Sequence, residues 1–171
     1  MLRLRPYRKE DAQTILSWST DETTFYRWSA GMLGAYPPSV ESLSFVETLM
    51  PFLAFDEEGP VGFFTLRDFG ESGDEVRIGF IIVNPNRRGK GLGKATVDLG
   101  LRFAFDLYGA KRVSLGVFED NLSAYHCYKA AGFRESEGIA AETVLIEDTP
   151  WVCVYLAITL DEYTGRILGR S

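Results

Sequence analysis

The chain has 171 residues, 46% hydrophobic and 13% aromatic, enough to bury one compact core. A formal net charge of −6 excludes general attraction to nucleic acid, and two cysteines (Cys127, Cys153) with one histidine (His126) offer no metal-ligand spacing. No apolar run reaches the length of a signal peptide or a membrane span, so the sequence reads as soluble and cytoplasmic, with reduced thiols, no metal and no membrane partner.

Leu2-Arg3-Leu4-Arg5 alternates apolar and polar, the period of a half-buried strand, and Pro6 ends it. Ala12, Ile15, Leu16 and Trp18 then recur near helical spacing, with Asp11 as the expected N-cap. Residues 19–38 are aromatic but broken by Gly31, Gly34 and Pro37-Pro38, which reads as an irregular loop that covers the core or walls a ligand. A short helix capped by Ser39 is expected up to Leu49. Pro51 to Phe55, Val61 to Phe69 and Val76 to Val83 read as three strands of an antiparallel meander. Leu92, Ala95, Thr96, Leu99 and Phe103 mark one helix face. Arg112 to Phe118 is a further strand, followed by a helix with Asn121 as N-cap and Gly132 as its left-handed stop. Thr143 to Ile146 and Trp151 to Thr159 read as a closing strand pair, while the pattern does not place residues 161–171. No linker or repeat interrupts the chain, so a single domain over 1–171 is expected.

The most informative stretch is NRRGKGLGKATVDLGL, residues 86–101, where a strand runs through a basic glycine turn into a helix. A helix N-terminus leaves backbone amides unpaired and carries partial positive charge, which makes it an anion site. Gly89, Gly91 and Gly93 let the backbone approach phosphate oxygens, and Arg87, Arg88, Lys90 and Lys94 add cations. The simplest partner is a diphosphate-bearing ligand. A P-loop is excluded because Ala95 follows Gly93-Lys94 and Arg88 stands where its first glycine belongs. The dinucleotide fingerprint is excluded by the spacing of the glycines and by the meander upstream.

Arg88-Gly89-Lys90-Gly91-Leu92-Gly93 fits Arg/Gln-x-x-Gly-x-Gly/Ala at every fixed position, and so resembles the acetyl-CoA loop of the GNAT acetyltransferase superfamily. The resemblance continues in IGFIIV, similar to the family's fourth strand, and in Asn121, Ala124, Tyr128, Gly132 and Phe133, which follow the pattern Asn-x-x-Ala-x-x-x-Tyr-x-x-x-Gly-Phe. The opening LRLRPYRKEDAQTILSW also resembles the family's first strand and helix, nearest to the ribosomal-protein N-terminal acetyltransferase branch.

The resemblance implies an α+β fold: a mixed, mostly antiparallel central sheet, flanked by helices, with a splayed fourth and fifth strand. A bulge near Phe80 to Ile82 would open that gap, letting the pantetheine arm of CoA pair with strand backbone as an added strand does. The implied cofactor residues are Ile81, Ile82, Val83, Arg88, Gly89, Lys90, Gly91, Leu92, Gly93, Lys94, Asn121 and Tyr128. Asn121 and Tyr128 are seven residues apart, two helical turns, and share a face.

The implied activity is transfer of an acetyl group from acetyl-CoA to a primary amine: a protein N-terminus, polyamine, amino acid or other small amine. The rival reading is a non-catalytic acetyl-CoA sensor of the same fold. The amine must lose a proton to attack, a backbone amide on the splayed strand would steady the oxyanion, and Tyr128 stands where the family places the acid for the leaving thiolate. Family members that act on protein N-termini often carry a glutamate where this chain has Gly116, so Glu75, Glu119 and Asp120 are the substitute candidates for a base, with His126 behind them, or else a water held by backbone takes the proton. Phe25, Tyr26, Trp28 and Tyr36 are expected to wall the acceptor, with Asp21 and Glu22 attracting a cationic amine. A homodimer is implied by the resemblance only.

Overall fold

The computed structural model describes residues 1–169. Eight strands form one sheet: β1 (Arg3–Pro6), β2 (Met50–Asp56), β3 (Gly59–Phe69), β4 (Glu75–Val83), β5 (Arg112–Phe118), β6 (Arg134–Glu135), β7 (Glu142–Ile146) and β8 (Thr149–Thr159). Their order is β1-β2-β3-β4-β5-β8-β6, with β7 also paired to β8. Every pair is antiparallel except β4–β5, which is parallel and holds for only three rungs, Glu75–Arg77 against Arg112–Ser114. The mixed sheet and the parting fourth and fifth strands match the expected fold.

One face of the sheet carries α3 (Leu92–Arg102) and α4 (Leu122–Ala130), and the core there joins Phe64, Ile78, Val97, Leu101, Leu115, Tyr128 and Leu156. The other face carries α1 (Ala12–Leu16), α2 (Glu22–Ser29) and a 3-10 segment, Val40–Thr48, over Leu53, Phe63, Ile82 and Phe118. The bulge falls where it was expected. Phe63 pairs with Ile82 and Thr65 with Gly79, so one residue of β3 faces two of β4, Phe80 and Ile81. Phe80 takes φ +49°, a left-handed conformation that is uncommon for a bulky side chain.

Several local expectations are corrected. Asp11 does not cap α1: its carboxylate accepts both Arg5 terminal nitrogens, at 2.8 and 2.7 Å, and the Arg8 amide at 2.8 Å. Residues 22–29 are not irregular but form α2, because the Asp21 carboxylate accepts from the Thr24 amide and starts the helix. The Ser39-capped segment exists, as 3-10 rather than α-helix. On α3 Thr96 is buried as expected, but it is joined by Val97, Gly100 and Leu101 rather than by Leu92, Ala95, Leu99 and Phe103. Close approach decides this: a Cβ on Gly100 would lie 2.8 Å from Ile78 Cδ1 and 3.2 Å from the Phe64 ring. Residues left unplaced by the sequence form α5 (Leu160–Leu168), started by a Thr159/Glu162 capping box; Arg170 and Ser171, also in that unplaced tail, lie outside the described residues.

Candidate active site

A cleft of about 880 Å³ opens where β4 and β5 part. Past Arg77 the β5-facing edge of β4 has no strand partner, and the cleft is lined there by Gly79, Phe80, Ile81, Ile82 and Val83. Its far wall holds Gly116, Val117 and Phe118 of β5, then Asn121, Ala124 and Tyr128 of α4. At one end lies the glycine turn, contributing Arg88, Gly89, Gly91, Leu92, Gly93 and Lys94.

The turn is built as an anion cradle. Gly91 is the N-cap of α3 with φ +71° and no side chain capping it, and Gly89 has φ +78°. A Cβ at either glycine would meet nothing within 4 Å of this chain, so it is the left-handed backbone, not crowding, that calls for glycine here. The cations divide. Arg87 does not face the cradle: it grips Asp56 at 2.6 and 3.1 Å and Glu58 at 3.3 Å, tying the turn to the β2–β3 hairpin. Lys94 lines the cleft while bonded to Asp98 one helical turn on, at 2.5 Å. Arg88 is exposed at the mouth, and Lys90 is exposed outside the lining.

Tyr128 is 7% exposed, lines the cleft and packs edge-on against Phe133. Burial pushes its phenol well above the ordinary tyrosine value, so it stays a proton donor at neutral pH. Asn121 both caps α4, accepting from the Ala124 amide at 3.4 Å, and lines the cleft.

The expected base candidates are not brought together. Glu75 lies at the other end of β4, in the paired rungs, 3.4 Å from Arg112 Nε. Glu119 is exposed beyond β5 and outside the lining, and Asp120 is engaged by Arg27 at 2.8 Å. His126 is exposed but does line the cleft. Among the described lining residues there is no aspartate or glutamate.

The expected acceptor wall is also redistributed. Phe25 is fully buried and Tyr26 nearly so, both in the core beneath α2, where the Tyr26 hydroxyl accepts from the Tyr36 amide at 3.2 Å. Neither lines the cleft; amphipathic burial outranked surface display. Asp21 is spent on capping α2. Trp28 does line the cleft, and its indole Nε1 donates to the carbonyl of Phe80 at 2.8 Å, bracing the bulge. That contact joins residues 52 apart, and no local pattern announces it.

Two lining groups escaped the sequence reading. Tyr155 lies opposite Gly116 on β8, its hydroxyl donating to Glu142 at 2.6 Å; a Cβ on Gly116 would crowd Cys153 Sγ at 2.9 Å. Arg77 lies at the vertex where the strands part, its guanidinium 3.9 Å from the centre of the Phe69 ring and 5.2 Å from that of Tyr155. Burial pulls its pKa below the usual arginine value.

The Acetyltransferase (GNAT) family profile matches residues 12–133, which takes in the turn, the splayed strands and α4. The chain belongs to the GNAT acetyltransferase family. A mycothiol acetyltransferase of Rhodococcus opacus is 36% identical over 88 residues, half of this chain but only 28% of that protein. A spermine/spermidine N(1)-acetyltransferase of Bacillus subtilis is 30% identical over 73 residues, 43% of this chain and 48% of its own length. The chain therefore spans less than half the length of these curated relatives. Among solved structures, a spermidine N-acetyltransferase from Vibrio cholerae, in complex with CoA and spermine, superposes with TM-score 0.78 at 20% identity, covering 95% of this chain and 98% of that one. These relatives do not support the ribosomal-protein branch that the opening segment resembles.

Proposed function

We propose that the chain is a single acetyl-CoA-dependent N-acetyltransferase domain acting on a primary amine. One observation carries the reading: an uncapped, glycine-lined helix N-terminus opens directly into the gap between β4 and β5. The residues fit CoA. Gly89 to Lys94 would hold its diphosphate with backbone amides and Lys94, Arg88 stands free at the mouth for a further phosphate, and the unpaired edge of β4 at Ile81 to Val83 would take the pantetheine amides. When bound, acetyl-CoA supplies a thioester carbonyl for the amine to attack.

The chain's own part is placement and proton handling. The bulge at Phe80–Ile81 turns strand backbone toward the cleft, and the brace from Trp28 fixes it. Tyr128 holds a proton on its hydroxyl for a leaving thiolate. With no carboxylate in the described lining, the proton of the amine leaves through water in the cleft. Relatives named for spermine, spermidine and mycothiol chemistry support a small amine as acceptor.

The test is calorimetry with acetyl-CoA and CoA, followed by an amine screen for CoA release. Micromolar binding lost in Gly91→Glu, with turnover of at least one amine, supports the reading. Binding without turnover of any amine would make the chain an acetyl-CoA sensor; no binding would end the cofactor assignment.

A further inference from the structure

The cleft has two sides. The α3–α4 side carries the glycine turn, Asn121 and Tyr128. The α1–α2 side carries Trp28, Gly116, Tyr155 and Arg77. Side-chain alternation puts Arg77 on the second side: Val76 and Ile78 belong to the α3–α4 core, so Arg77 points the other way, level with Ser114.

The charges on the lining are one-sided. Arg27, Arg77, Arg88 and Lys94 line it, and no aspartate or glutamate does among the described residues. Arg27 is taken by Asp120 and Lys94 by Asp98, while Arg88 lies at the mouth by the glycine turn. Arg77 remains. Among the described residues no carboxylate lies within ion-pair distance of it. Among those residues its one hydrogen bond is Nε to Ser114 Oγ at a long 3.5 Å, and two aromatic faces flank it. A half-buried guanidinium whose terminal nitrogens have no hydrogen-bond partner among the described residues invites a planar anion, and a carboxylate is the group that its fork fits. Polyamine recognition needs the opposite lining.

Resting on the transferase reading above, we infer that the acceptor is an amine that also bears a carboxylate, which Arg77 binds at the vertex of the cleft while the amine faces the thioester. Aromatic rings on either side hold the guanidinium in place without neutralising it.

Matched acceptors test this: ornithine against putrescine, phenylalanine against phenylethylamine, and glycyl peptides with free against amidated C-termini. CoA release gives kcat/KM, and calorimetry on protein saturated with CoA reads acceptor binding independently of turnover. The carboxylate-bearing member of at least one pair should be favoured by about 10- to 100-fold, the worth of a charge-assisted hydrogen-bonded pair. Arg77→Met, which keeps an apolar stem between the rings, should collapse that preference, and Arg77→Lys should restore part of it; acetyl-CoA affinity and melting temperature report that both variants are folded. Preference for putrescine over ornithine and for the other carboxylate-free members, or a preference that Arg77→Met leaves intact, overturns the inference and spares the transferase reading. Failure to bind acetyl-CoA overturns both.

Discussion

Tyr128 is a phenol that cannot ionise easily where it sits, and this makes it a donor rather than a base. Tyr128→Phe should leave acetyl-CoA affinity nearly unchanged and lower kcat by about 10²- to 10⁴-fold, the usual worth of a positioned acid. Equal loss of binding and rate would make the ring structural. The same site predicts the pH profile. With no carboxylate base in the described lining, kcat/KM should climb about tenfold per pH unit up to the pKa of the acceptor amine used, about 10 for an alkylamine and about 8 for a peptide α-amine, and level off only there. A plateau beginning near pH 6 to 7 would point to a side-chain base, and His126 is the one that lines the cleft. At this scale the sequence was legible where meaning is local. The glycines at 89 and 91, the cap at Asn121 and the stop at Gly132, with φ +100°, all follow from short-range geometry. Arg87, Glu75 and Phe25 were misread because their partners, Asp56, Arg112 and the core under α2, lie far along the chain.

Between elements, glycines do a second job. Gly100 lets α3 lie against Phe64 and Ile78, and Gly62 lets Thr96 close on β3, where a Cβ would approach the threonine side chain to 2.8 Å. Gly100→Val should destabilise by about 1–3 kcal/mol in denaturant unfolding, the cost of overpacking. A neutral result would mean that Ile78 and Phe64 can step aside. Strands were the most legible elements, β5 to the residue, since β-branched and aromatic alternation needs no knowledge of neighbours. The helix faces were less so. Period alone marks apolar residues, whereas what decides the buried stripe is how closely two backbones can approach, and that favours glycine over leucine. The bulge was placed through the family resemblance, not by any residue pattern, and its brace by Trp28 was invisible because the contact is tertiary.

Over the whole molecule, distant segments are pinned by a few buried-edge ion pairs. Burial opposes the charge on Asp11, yet Arg5 and the Arg8 amide hold its pKa below the ordinary carboxylate value of 3.8. A depressed carboxylate stabilises the fold fully above its unfolded pKa and loses that contribution as pH falls through the folded value. The urea midpoint should therefore decline below about pH 4, and the decline should be shallower in Asp11→Asn. If the two curves run parallel, the pair carries no acid sensitivity. Finally, β4 holds one more residue than β3 requires. On both sides of the surplus the ladder is in register, Thr65 with Gly79 and Phe63 with Ile82, and both cores keep their own residues. Deleting Phe80 would join the two ladders without turning any flanking side chain to the wrong face, because Ile81 would then stand opposite Phe64 on the α3–α4 side where both already pack. The deletion protein should fold with both cores intact, straighten its fourth strand and fail to bind acetyl-CoA. Loss of a single codon would thus turn the open, cleft-bearing sheet into a closed one of the same shape, and its regain would reopen the cleft.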